Sequence, residues 1–465
     1  MDYQETKDKL NNIGCGMCLA KWTQVTIHLQ NGHTHSCHHP RTHKIPLTEL
    51  KDNPSALHNT NYKKRQRRTM LSGGRPEECD YCWNVEDNSN EFSDRIYKSN
   101  DDWSAKHWDK FQKEIDGTNY LIDWKENFNP SYVEVVFSSA CNLKCSYCAP
   151  HISSKWMEEI EKHGHYPTTT KFNNLQHLKN VKAIPIPHRE PNPYVEAFWK
   201  WWPELYRDLH TFRITGGEPL LSKDTFKVLD YIIKEENPNR ELVLSINSNL
   251  MVPDNLIDEF IEKVNIITKE KRVKEFQMFT SVDTWGKDAE YIRNGLVFNK
   301  FWDNCNKFLR ECPIPSLTFM VTYNALSVFN FDKFIEGAYK LKTEYMNESR
   351  MYPSSVCVID ISYLRYPTHQ TVKVLYKKFN SLIKKQIKLM KSLQYSDNKE
   401  CFTDMEISKL ERILDWMNSP NNRKELYRNR KDFSNFFREH DKRRGTSFID
   451  IFPELENLYK KKGKK

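Results

Sequence analysis

Between residues 132 and 370, short apolar runs alternate with stretches of helical period. The runs Tyr132–Ser139, His210–Thr215, Glu241–Asn247, Glu275–Val282, Ser316–Tyr323 and Ser355–Tyr363 predict strands, several of them near-continuously apolar as in a covered parallel sheet. Between them, apolar residues recur every three or four positions. Asp224–Glu236 aligns Phe226, Leu229, Ile232 and Ile233, and Pro253–Val264 aligns Leu256, Ile257, Phe260 and Ile261. Tyr291–Leu309 and Val328–Leu341 complete the predicted helices. Repeated βα units imply an α/β fold whose parallel strands are joined by right-handed crossovers. The first connection, 149–209, is long, and the prolines at 185, 187, 191 and 193 exclude one continuous helix across it. The aromatic block Ala197-Phe198-Trp199-Lys200-Trp201-Trp202 reads as core, with a substrate platform as the alternative.

The flanks read differently. Thr23 to Leu29 alternates as a strand does, Asn31-Gly32 signals a hairpin turn, and a returning strand carries Cys37. Asn61 to Leu71 is basic and helical. Residues 91–131 read as a linker with short helices, where Trp103, Trp108 and Trp124 are expected to pack two domains together. Beyond 370, Val372–Leu393 and Met405–Met417 have helical spacing. Basic blocks follow at Arg423–Arg430, Arg438–Arg444 and Lys460–Lys465, interleaved with Tyr427, Phe433, Phe436 and Phe437. They read as a solvated helical face, with nucleic-acid contact as the alternative and no RNA-binding signature. The predicted organisation is 1–90, a linker at 91–131, a core at 132–370, and a helical basic extension at 371–465.

Composition narrows the class. Of 465 residues, 29% are charged and 13% aromatic, which describes a folded chain with a hydrophilic surface. No run of about 18 apolar residues exists, so no transmembrane helix is expected. The start, MDYQETKDKL, does not read as a signal peptide. The net charge of +9 permits an acidic partner without requiring one. Eight of the twelve cysteines fall in two groups with C-x2-C elements, which points to thiols and metal in a reducing cytoplasm.

The first group is Cys141, Cys145 and Cys148, at C-x3-C-x2-C spacing directly after a predicted strand. Thiolates are the usual ligands of iron–sulfur clusters, and three on a [4Fe–4S] cluster leave one iron open. A zinc site completed by His151 is the alternative. The second group is Cys15, Cys18, Cys37, Cys79 and Cys82. Cys305, Cys312, Cys357 and Cys401 have no ligand spacing and read as buried small residues, though Cys357 lies in a strand that could point it inward.

With Tyr147 before its last cysteine, the loop resembles the signature of the radical S-adenosylmethionine (SAM) enzymes. Ile214-Thr215-Gly216-Gly217-Glu218-Pro219 resembles that superfamily's second motif. The resemblance implies a partial (β/α)6 barrel with its chemistry at the C-terminal strand ends. It implies a [4Fe–4S] cluster on Cys141, Cys145 and Cys148, with SAM chelating the open iron. Gly216 and Gly217 are expected to admit SAM closely, with Glu218 helping to take its amino group. Asn247 is expected at the ribose, with Ser245 and Asn249 as alternatives. Ser281-Val282-Asp283 followed by Arg293 resembles the S-x-D…R pattern of SPASM-type enzymes, in which the serine contacts ribose and the arginine pairs with the SAM carboxylate. Asn324 is a further candidate near adenine. The implied reaction is reductive cleavage of SAM to a 5′-deoxyadenosyl radical that abstracts hydrogen from a substrate.

The strand, turn, strand, helix, C-x2-C order of residues 1–90 resembles the twitch module, a half-length SPASM domain that holds an auxiliary [4Fe–4S] cluster. The carry-over falls on Cys18, Cys37, Cys79 and Cys82, with Cys15 a possible replacement for Cys18 and a zinc ribbon as the alternative. In the family this module follows the core; here it precedes it, as a circular permutation would. The histidines at 28, 33, 35, 38, 39 and 43 are not expected to be ligands. The resemblance points to a peptide or protein substrate, with nucleotide, tRNA or small-molecule modification as the rival. An electron donor such as flavodoxin or ferredoxin, a cytoplasmic setting and no membrane partner go with it. Outside the enzymes, the rival is a zinc-stabilised nucleic-acid-binding protein.

Overall fold

All six apolar runs form strands in the computed structural model of the chain, which describes residues 2–112, 122–187 and 189–460. In chain order the strands among the described residues are β1 (Gln24–His28), β2 (His33–His35), β3 (His43–Lys44), β4 (Tyr132–Val136), β5 (Lys144–Cys145), β6 (Thr211–Thr215), β7 (Val243–Ser248), β8 (Glu275–Ser281), β9 (Arg293–Asn294), β10 (Ser316–Tyr323), β11 (Cys357–Tyr363), β12 (Tyr395–Ser396) and β13 (Lys399–Glu400). Helices separate the long strands from β6 onward, as expected for a mostly parallel α/β fold with helical extensions. The chain divides into two units, one of residues 1–138, 185–215 and 237–245, the other of 139–184, 216–236 and 246–465.

In the first unit, β4 lies parallel between β6 and β1, and β1 then turns antiparallel into β2 and β3. The expected hairpin is present, with Gly32 at φ +64 where the ring of Tyr194 leaves no room for a Cβ. Instead of standing apart, the hairpin continues the parallel sheet: Gln24 to His28 run in register with Tyr132 to Val136. Asn192 caps the helix Pro193–Asp208, which buries Phe198, Trp201 and Trp202 of the aromatic block. Trp108 joins Leu10, Trp22, Met70 and Phe111 in this unit's core, and Trp103 is buried in the same unit.

In the second unit, β8, β10 and β11 are parallel neighbours. Each buries every second residue. Phe319 of β10 packs against Trp302 and Phe334 of the flanking helices, while Thr318, Met320 and Thr322 face the half-open side. The sheet is therefore not covered equally on both faces. Cys357 is fully buried and its sulfur faces the Ala338 carbonyl of a helix, so it points to the packed side and not inward.

Two helix expectations need correction. Tyr291–Leu309 is not one helix: Gly286–Ile292 ends, Arg293-Asn294 forms β9, Gly295 turns at φ +103, and Phe298–Glu311 begins anew. Val372–Leu393 becomes helical only from Asn380, after short 3-10 turns. The basic helix Arg423–Arg444 buries Phe433, Phe436 and Phe437, so those rings are core and not a stacking surface. The tail 461–465 lies outside the described residues. Among the described residues no helix is long and apolar enough to cross a membrane.

Candidate active site

Cys141 to Cys148 leave the end of β4 as a loop held on every side. Cys145 pairs with Arg293 in the β5–β9 ladder, and Ser146 N donates to the Ile292 carbonyl at 2.7 Å. Ser154 Oγ accepts from Cys141 N at 3.1 Å, Ser153 Oγ donates to the Leu143 carbonyl at 3.0 Å, and Trp156 Nε1 donates to the Cys145 carbonyl at 2.8 Å. Gln370 grips Ser146 through both hydroxyl and carbonyl. A loop whose backbone groups are satisfied by the protein keeps its shape whether or not its thiols are engaged. Burial pushes the Cys141 thiol up to about 12 and raises Cys145 and Cys148 as well. Cys148 is raised further by charge on Cys145 and Cys141. Such thiols shed protons on meeting iron.

Gly217 owes its identity to the loop itself. A Cβ there would stand 2.3 Å from the Ala140 carbonyl oxygen, just before Cys141. Gly216 takes φ +102, a conformation that favours glycine. Glu218 is fully committed within the protein: its carboxylate accepts from Ser248 Oγ at 2.6 Å, Asn249 N at 2.6 Å and Leu220 N at 3.0 Å. Burial lifts its carboxyl to about 7 against those donors. The residue thus ties the turn after β6 to the end of β7. Asn249 is also engaged, donating to Asn142 Oδ1 at 2.9 Å. Asn247 and Ser281 sit half-buried near the ends of β7 and β8. Asn324 is buried with its amide spent on its own turn.

Arg293 is not on a helix surface. It is buried, and its Nε and Nη2 donate to Asp283 Oδ2 and Oδ1 at 2.9 and 3.1 Å. Nη2 also donates to Tyr147 Oη at 2.7 Å, Tyr147 Oη donates to both Asp283 oxygens, and Nη1 approaches Cys145 Sγ at 3.5 Å. The two-point contact expected with the SAM carboxylate is therefore made with Asp283 here. Tyr147 joins the same knot. Asp283, Trp156, Ser153 and Gln370 were not singled out as partners of the loop by sequence reasoning; only the S-x-D…R spacing carried a signal, and it covered Asp283 alone.

In the first unit Cys18, Cys37, Cys79 and Cys82 line one pocket, with Lys21, Ser36, His39 and Arg95. Cys15 is exposed elsewhere, its sulfur against the Gly73 carbonyl, so Cys18 and not Cys15 lies at the pocket. Burial pushes the Cys79 and Cys82 thiols up to about 12. Lys21 and Arg95 are buried and ion-paired with Glu78 and Glu86, which sets positive charge beside the thiols. Ser36 Oγ is buried without a hydrogen-bond partner, an orphan that a sulfide or thiolate would satisfy. Four thiols and a spare hydroxyl are a donor set that fits an iron–sulfur cluster, and the two cations already have carboxylate partners. Among the described residues no three or more His, Cys, Asp or Glu side chains gather as ligands of a single ion.

The model of the Radical SAM superfamily matches residues 135–324. Over 163 residues the chain is 25% identical to GTP 3′,8-cyclase of Nautilia profundicola, covering 34% of this chain and 36% of that protein. Over 137 residues it is 26% identical to the radical SAM cyclopropyl synthase TigE of Paramaledivibacter caminithermalis, covering 29% of this chain and 25% of that one. The matches thus span well under half of these curated relatives. With the cysteine loop, the Gly216-Gly217-Glu218 turn and Arg293 all inside the matched segment, residues 135–324 form a radical SAM domain.

Proposed function

We propose that this is a radical SAM enzyme that abstracts hydrogen from a peptide or protein, with a second iron–sulfur cluster in its N-terminal pocket. The observation that carries the first part is the braced loop, which offers three thiols to a cluster that normally takes four. Cys141, Cys145 and Cys148 would hold the catalytic [4Fe–4S] cluster, and Gly216, Gly217, Asn247 and Ser281 would line the SAM site. When bound, the cluster and SAM supply a one-electron cleavage that yields a 5′-deoxyadenosyl radical able to take hydrogen from a C–H bond. The chain's own residues fix the loop, neutralise charge beside Cys145 and present the half-open strand face to the substrate. Cys18, Cys37, Cys79 and Cys82 would hold the auxiliary cluster. Four ligands leave it no open iron, which favours electron transfer over substrate anchoring. A cytoplasmic flavodoxin or ferredoxin is the matching electron source.

The peptide reading is supported by the resemblance of the N-terminal segment to twitch modules. A second reading, modification of a nucleotide or small molecule, is favoured by the relative whose name gives GTP as substrate. Anaerobic purification followed by iron and sulfide analysis tests the proposal: about eight irons per chain fit two cubanes. The C141A/C145A/C148A variant is expected to lose half of that iron and all 5′-deoxyadenosine formation from SAM and dithionite. Undiminished 5′-deoxyadenosine would overturn the site, and zinc without sulfide would favour a nucleic-acid-binding protein. Capturing ligands from the native host with inactive holoprotein separates peptide from nucleotide.

A further inference from the structure

Arg444 ends the helix Arg423–Arg444, far beyond the segment matched by the family, yet it reaches the cysteine loop. Its side chain is fully buried, at 0% exposure. Nη1 donates to the Lys144 carbonyl at 2.7 Å, one residue before Cys145. Nε and Nη2 donate to the two oxygens of Glu159 at 3.0 and 3.3 Å. The guanidinium also lies over the Trp156 ring, 4.9 Å from its centroid, and Trp156 Nε1 in turn holds the Cys145 carbonyl. The carbonyls of Lys144 and Cys145 are thus fixed by one arginine, directly and through the ring beneath it. Glu159 closes the arrangement by accepting from Lys144 Nζ at 3.0 Å and Tyr166 Oη at 2.6 Å.

We propose that Arg444 is a positioning residue for the radical SAM cluster loop, through which the C-terminal extension sets both the geometry and the electrostatic field at Cys145. Burying a guanidinium is expensive unless its hydrogen bonds and its counter-charge are complete. Here Glu159 supplies the counter-charge, and the helix C-terminus favours a cation at this position. The helix is held in place for the purpose: Asp432 accepts from Thr169, Phe436 stacks on Tyr166, and Arg443 donates to the carbonyls of His163, Gly164 and His165. On the other flank Arg293 Nη1 lies 3.5 Å from Cys145 Sγ, so two buried arginines bracket this ligand residue, Arg444 through the backbone and Arg293 at the sulfur. A cluster gains negative charge on reduction, so removing the Arg444 cation while the Glu159 carboxylate stays lowers its potential.

The inference rests on reading this loop as the cluster site, and the experiment separates the two. Full-length R444M and R444K are compared with wild type in three measurements. Hydrogen exchange over 143–148 is read on iron-free protein, iron and sulfide content on reconstituted protein, and the cluster midpoint potential by EPR-monitored titration. R444M is expected to exchange about tenfold faster in the loop, the equivalent of one lost charge-assisted hydrogen bond, with helix 254–269 unchanged. Its potential is expected to shift negative. R444K keeps the charge but not the fork, so its potential returns toward wild type while loop exchange stays fast. If R444M fails to fold, R444K alone decides, and wild-type exchange in that variant overturns the proposal. Wild-type exchange and potential in R444M overturn it equally. Should wild-type protein take no cluster at this loop, the functional reading fails while the exchange comparison still judges the hold of Arg444.

Discussion

The cysteines of the radical SAM loop arrive on one connection, within eight positions of one another in Cys141 to Cys148. Those of the N-terminal pocket come from four places: the turn before the short helix Ala20–Thr23, the strand end after β2, a 3-10 turn and the start of the helix Asp80–Asn88. The first site is made by spacing and then stiffened by its surroundings. The second exists only when a hairpin, a helix and two turns have packed. A site of the first kind tolerates damage to distant packing better than the second, and the second is sensitive to any change that loosens its unit.

The largest test of this contrast lies at Cys15 and Cys18. C18A is expected to lower the iron held by the N-terminal pocket while 5′-deoxyadenosine still forms, whereas C15A keeps the full complement; iron analysis of both variants reads this. If C15A loses the iron instead, the pocket closes in a different way from the one described. Next in size is D283N. It leaves the buried Arg293 without its counter-charge, a loss of about 3–5 kcal/mol in the second unit by denaturant unfolding. E78Q is its counterpart beside Lys21 in the pocket, and a similar cost there without loss of the catalytic cluster keeps the two sites independent.

A pH effect comes third. Burial would raise the Glu159 carboxyl, but Arg444, Tyr166 and Lys144 outweigh it and hold the group at about 2. Its folded value is depressed, so its contribution is complete above the ordinary glutamate value of 4.5 and fades as pH falls toward about 2. Acid unfolding followed at the loop should show this limb, and E159Q should flatten it. The smallest effect is expected from S36A. Removing a buried hydroxyl that has no partner stabilises the iron-free protein by about 1 kcal/mol. The iron-loaded protein should gain less, because the hydroxyl then has an acceptor; equal gains in both forms would place the cluster out of reach of Ser36.

The two sites also differ in how far the chain's residue pattern announced them. The six strands follow from apolar runs bounded by helical period, and the cysteine loop from its spacing, because both are local. Arg293 was noticed through a spacing pattern but placed on a helix, since Tyr291 to Leu309 keeps helical periodicity across Gly295 and only the ladder with Cys145 breaks it. Its partner Asp283 was in view, yet nothing local says that two charges ten residues apart will bind each other before they bind a ligand. Arg444 was hidden in a basic block that reads as solvated surface. Its burial depends on Glu159 and Trp156, which the chain brings to it from nearly three hundred residues away. The hairpin of β1 and β2 was legible from Asn31-Gly32, whereas its parallel union with β4 was not, because register between distant strands leaves no trace in either run.

That union carries a practical consequence. Because β1 covers one side of β4, cutting the chain ahead of residue 130 would not release a self-sufficient catalytic piece. It would bare a row of unpaired amides and carbonyls along Tyr132 to Val136, a template for other chains to add themselves strand by strand. Shortened versions lacking the first ninety residues should therefore precipitate or form oligomers whatever becomes of the thiols removed with them. A proline or a lysine introduced along that rim would be the natural remedy to try first.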